Sequence, residues 1–150
     1  MQDESKLLIA SLDSLDFESY VAMSKELTKI DQFNVEDTLT GQATIFAYYG
    51  GLESEAKRRE DEIKEKLELF EAETHTEYKE DKAKAVRKPT AKDIEMYVKS
   101  RPKYKELLLE LSDANYKRSL LGKLMRALEH RKDMAVQIAS KVRKEMDLTR

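Results

Sequence analysis

The chain is 150 residues long, with 39 % charged and 7 % aromatic residues, four Gly, two Pro and a net charge of −2. That is one domain's length and the composition of long helices. With no cysteine and no run of about 18 apolar residues, it has no disulfide framework, no Cys-ligated zinc site and no thiolate nucleophile, and no membrane-spanning helix is expected.

Residues 1–15 mix acids with a small apolar run, Leu7-Leu8-Ile9, and show no clear period, so they are expected to fray or dock weakly. The start, MQDESKLLIA, lacks the cationic region of a signal peptide, and a cytoplasmic location is expected. Asp16 is suited to cap a short helix with Phe17, Tyr20, Val21, Leu27 and Ile30 on or near one side. Residues 1–40 thus read as an acidic arm. It either packs on the main body or detaches and competes with an anionic ligand.

Residues 41–150 read as a helical hairpin core. A long helix starts between Asn34 and Gly41 and runs to about Ala85, with an apolar stripe of Ile45, Tyr49, Leu52, Ala56, Ile63, Leu67 and Phe70. The phase agrees on both sides of Gly50-Gly51, so the helix is expected to continue through the pair. Glu60 falls inside the stripe and Arg59 at its edge, where polar groups often fix register. The helix must stop before Pro89, because Lys88 is pushed out of the α region. Thr90, with Asp93 three residues on, forms a capping-box pattern for a connector helix over Ala91–Lys99.

Arg101-Pro102 ends the connector and begins a last long helix, with Pro at its first position and its end near Met146. Its stripe is Leu107, Leu111, Ala114, Leu121, Leu124, Met125, Leu128, Ala135, Ile138, Ala139, Val142 and Met146. This stripe drifts roughly 20° per heptad, as in helices that wrap around one another. The fold class is therefore all-α, a long antiparallel hairpin with short connector and N-terminal helices. Folding at the connector places Ile63 near Leu124 and Tyr49 near Ile138. One hairpin buries little apolar surface, so self-association is expected.

The charge is unevenly spread. Residues 1–80 hold 9 Lys+Arg against 20 Asp+Glu, and residues 81–150 hold 19 against 10. Such asymmetry points to nucleic acid, or to acidic and basic helices pairing with each other. Opposite the apolar stripe, the last helix carries Ser119, Lys123, Arg126, His130, Asp133, Gln137, Lys141 and Lys144, a cationic face with one acid. Between residues 115 and 144, Lys117, Arg118, Arg131, Lys132 and Arg143 add to it against only Glu129 and Asp133. A second basic cluster around the connector contains Lys82, Lys84, Arg87, Lys88, Lys92, Arg101, Lys103 and Lys105, and a third is Lys57-Arg58-Arg59. Helices of this kind neutralise phosphates by counterion release. Tyr48, Tyr97 and Tyr116 are candidates for stacking on bases, although tyrosine at such spacing is more often a core residue.

Catalytic patterns are missing. There is no Gly-rich phosphate loop, no H-E-x-x-H and no nucleophile elbow; His75 and His130 are 55 residues apart, and Glu71, one turn before His75, makes a common surface pair with it. The chain is read as a non-enzyme without metal or cofactor.

The segments FAYYGGLESEAKRRED, RKPTAKDIEMYVKSRPKY and RALEHRKDMAVQIASKVRKEM, in that order, resemble those of phage recombination mediators of the UvsY type. The likeness covers roughly Gly41 to Arg150. It implies small helical homo-oligomers, rings among them, that bind single-stranded DNA in an infected cell. It also implies two protein partners: a RecA-like recombinase and the single-strand-binding protein it displaces. In that family, basic residues of the first long helix contribute to DNA binding, a place that Lys57, Arg58 and Arg59 would take here. The expected DNA-binding set is Lys57, Arg58, Arg59, Arg87, Lys88, Arg101, Lys123, Arg126, Lys141 and Lys144. The competing expectation is a coiled-coil scaffold or adaptor whose basic half serves only to pair with acidic helices. Coverage of Lys123, Arg126, Lys141 and Lys144 by acids of another helix discriminates the two.

Overall fold

A computed structural model describes residues 12–149. A 3-10 turn at Leu12–Ser14 is followed by α1 (Phe17–Leu27), α2 (Val35–Asp81), α3 (Ala91–Ser100) and α4 (Pro102–Leu148). No strand occurs among the described residues, and α2 packs antiparallel against α4. Nor is any helix of these residues long and apolar enough to cross a membrane.

Local chemistry sets the helix ends. Asp16 caps α1: its carboxylate accepts from the Ser19 amide at 2.7 Å, and the Asp16 amide donates to the Ser19 hydroxyl at 2.9 Å. Thr90 and Asp93 form the expected box at α3, with the Thr90 amide 2.8 Å from the Asp93 carboxylate and the Asp93 amide 3.2 Å from the Thr90 hydroxyl. Both carboxyls are held below the usual range, chiefly by these backbone amides. Helix α2 passes through Gly50-Gly51 without a break, and no glycine has a positive φ.

The chain divides into two compact units, Met1–Ala56 with Lys117–Arg150, and Lys57–Tyr116. In the first, Leu15, Met23, Leu27, Tyr49, Ala56, Leu120, Leu121, Leu124 and Leu128 form one buried cluster. Three close approaches mark its α2–α4 register. Gln42 Nε2 donates to the Leu128 carbonyl at 2.9 Å. A Cβ on Gly50 would lie 3.5 Å from Met125 Cε, and one on Gly122 would lie 3.3 Å from Glu53 Oε1. In the second unit, Ile63, Ile94, Val98, Leu107 and Ala114 are buried, and Tyr78 of α2 stacks on Tyr97 of α3.

This register corrects two expectations. Tyr49 clusters with Leu121, Leu124 and Leu128, roughly four helical turns before Ile138. Ile63 belongs to the second unit with Leu107, apart from the cluster that holds Leu124. The cause is α3, which lies against the last turns of α2 instead of acting as a simple turn. Helix α4 is thereby displaced toward the N-terminus of α2. Residues 140–149 are all exposed, including Val142 and Met146, which periodicity had assigned to the seam.

The N-terminal segment also differs. Leu7-Leu8-Ile9 lie outside the described residues, but Leu15 is among the most buried side chains, so residues 12–15 are docked. Helix α1 packs through Tyr20, Met23 and Leu27, one helical face. Phe17 points away and is exposed.

Candidate nucleic-acid interface

The α4 face arises from simple geometry. Positions 119, 123, 126, 130, 133, 137, 141 and 144 recur every three or four residues, and the core takes the opposite side. All eight are exposed. The stripe's one acid, Asp133, lies 3.8 Å from Lys132. Lys141 makes a loose pair with Glu145 of its own helix at 3.9 Å, and both side chains are more than half exposed. Among the described residues, no carboxylate lies within ion-pair distance of Lys123, Arg126 or Lys144. Two acids of α2 are engaged within their own helix. Glu60 is buried and pairs with Lys64 at 2.6 Å, and Glu62 holds Arg58.

Arg131 is different from the other α4 cations. It is half-buried, its Nη1 donates to Gln42 Oε1 at 2.8 Å, and its Nε donates to the Lys29 carbonyl at 3.1 Å. Burial pulls its pKa below the usual arginine range. This cation ties α4 to α2 and to the segment after α1, and so leaves the phosphate-binding count. Spacing alone could not show this, because its partners are 89 and 102 residues away in sequence.

The remaining expected site residues lie in the second unit. Lys57 is exposed, Arg58 is held by Glu62, and Arg59 is half-buried. Arg87, Lys88 and Arg101 are exposed. From Lys82 to Lys105 the chain has nine Lys+Arg and only two acids. Both acids are used locally: Asp93 caps α3, and Glu95 holds Lys99.

The tyrosines also separate. Tyr48 meets Tyr49 edge-on at 5.0 Å, and Tyr116 is exposed. Tyr97 stacks on Tyr78 with centroids 4.5 Å apart and planes 30° apart. The Arg101 guanidinium sits 5.4 Å from the Tyr97 centroid, and Lys82 Nζ sits 6.0 Å from that of Tyr78. Tyr78 was not singled out in the sequence, although the signal was present. Tyr78–Lys82 and Tyr97–Arg101 repeat one i, i+4 aromatic–cation spacing on two helices.

No group of three His, Cys, Asp or Glu residues that could hold a metal occurs among the described residues. Comparison with protein-family profiles, characterised proteins and solved structures gave no match to this chain.

Proposed function

We propose that the protein is an oligomeric single-stranded-DNA-binding recombination mediator, one that helps load a RecA-like recombinase onto DNA covered by single-strand-binding protein. The observation that carries this reading is the α4 face: eight exposed positions with Lys123, Arg126 and Lys144 unpaired by any described carboxylate. A helix that presents uncovered cations on a continuous line suits a phosphate backbone. The scaffold reading needs those cations covered by acids of another helix, and no carboxylate of the described residues pairs with Lys123, Arg126 or Lys144. The identity of the partners rests on the UvsY-type resemblance of the three quoted segments.

Mechanistically, several copies would present their basic faces to one strand. Each site is weak, and linkage between copies multiplies the affinity. The strand would be held by its backbone and then passed to the recombinase without a cofactor. Contacts of this kind are insensitive to sequence. The test is binding to labelled oligo-dT at two salt concentrations, with the mass of the protein measured alongside. Tight, strongly salt-dependent binding by a multimer supports the reading, and no binding at low salt removes it.

A further inference from the structure

The connector carries an arrangement that the α4 face lacks, aromatic rings beside uncompensated cations. Tyr78 and Tyr97 lie face to face, and each has a cation four residues on, above its ring at the outer limit of a cation–π contact. Helix α3 also buries Ile94 and Val98, so the rings are not its only anchor. Both tyrosines are half-exposed, whereas Lys82 and Arg101 are fully on the surface.

The geometry points to a base-stacking site at the connector: Tyr78 and Tyr97, flanked by Lys82 and Arg101, take a base of single-stranded DNA onto an outer face of the stack. This rests on the single-strand reading above and adds to it the part of the nucleotide that is recognised. A base has a π-face wide enough to extend a tyrosine stack, and any base will do. At 5.4 and 6.0 Å the two cations are held weakly by the rings. A nucleotide entering on either side displaces the cation from the ring face, and the cation turns to its phosphate. Arg87 and Lys88, both exposed, continue the positive line along the linker before α3. The two acids of this stretch do not compete, since Asp93 is bound by Thr90 and Glu95 by Lys99.

The experiment compares oligo-dT with an abasic strand of equal length and charge, using the full chain. The wild-type protein should bind oligo-dT about tenfold more tightly than the abasic strand, the size expected for stacking of one base. Tyr97→Leu should lower oligo-dT affinity to the abasic level and leave abasic binding unchanged. Arg101→Gln should weaken both strands alike. The chain has no Trp, so tyrosine emission is readable directly and should fall with oligo-dT and not with the abasic strand. Equal wild-type affinity for the two strands overturns the stacking site and leaves the single-strand reading intact. Failure to bind either strand overturns both. The wild-type comparison needs no variant, so it decides even if Tyr97→Leu folds poorly.

Discussion

The Arg131 guanidinium donates to Gln42 Oε1 at 2.8 Å, and Gln42 in turn donates to the Leu128 carbonyl one turn earlier on α4. A surface-looking cation is thereby part of the joint between α2 and α4. Its removal leaves the amide oxygen of a buried glutamine and the Lys29 carbonyl without this donor. Arg131→Met should cost about 1–2 kcal/mol of stability, read as a lower urea midpoint. It should not flatten the salt dependence of DNA binding. A flattened slope with stability unchanged would place Arg131 on the DNA instead.

Gly51 is exposed inside α2, and a Cβ there meets nothing within 4 Å. Gly51→Ala should therefore stabilise the protein by about 0.5–1 kcal/mol, with the urea m-value unchanged. Gly122→Ala should gain less, because its Cβ would press on Glu53 Oε1 at 3.3 Å. A loss at Gly51 would mean that the helix bends there.

Tyr49 supplies a pH signature. It is almost wholly buried, and burial pushes its hydroxyl from 10.0 up to about 12. The fold thus favours the neutral phenol. The stability linked to it is complete below pH 10 and is lost as the pH rises through about 12. Urea midpoints should fall across that window, and Tyr49→Phe should reduce the fall. An equally steep decline in Tyr49→Phe would assign alkaline unfolding to other groups.

The helix ends were legible because they are local. Asp16, the Thr90–Asp93 box and Pro102 each act within one turn, and the structure places them as their chemistry requires. The phase of both long stripes was legible too, for periodicity gives which side of a helix is buried. It does not give how far one helix slides along another. That sliding depends on α3 settling against α2 through Tyr97 and Tyr78, a non-local contact. The same limit hid the role of Arg131 and exposed Val142 and Met146. At the candidate site, the α4 cations were legible as a face, whereas the Tyr78–Tyr97 pair joins residues on separate helices.

The displaced register has a consequence for assembly. Val142, Met146 and Leu148 sit on exposed turns of α4 beside Lys141 and Lys144. Apolar side chains grouped in this way favour burial against another surface. Light scattering should give a mass well above the 17.4 kDa chain at micromolar concentration. Val142→Asp with Met146→Asp should lower that mass. A monomer throughout the range would rule out a shared apolar seam.

If the α4 face follows a phosphate backbone, reversal of charge on that face is the most direct test. Oligo-dT affinity should fall with salt at a slope of roughly −0.7 per neutralised phosphate. Lys123 and Arg126 are exposed and free of described carboxylates, so Lys123→Glu with Arg126→Glu should leave stability within about 0.5 kcal/mol. The double variant should bind all sequences more weakly and show a shallower salt slope. An intact, soluble double variant that binds oligo-dT as tightly as the parent at both salts, with the slope unchanged, would contradict the account.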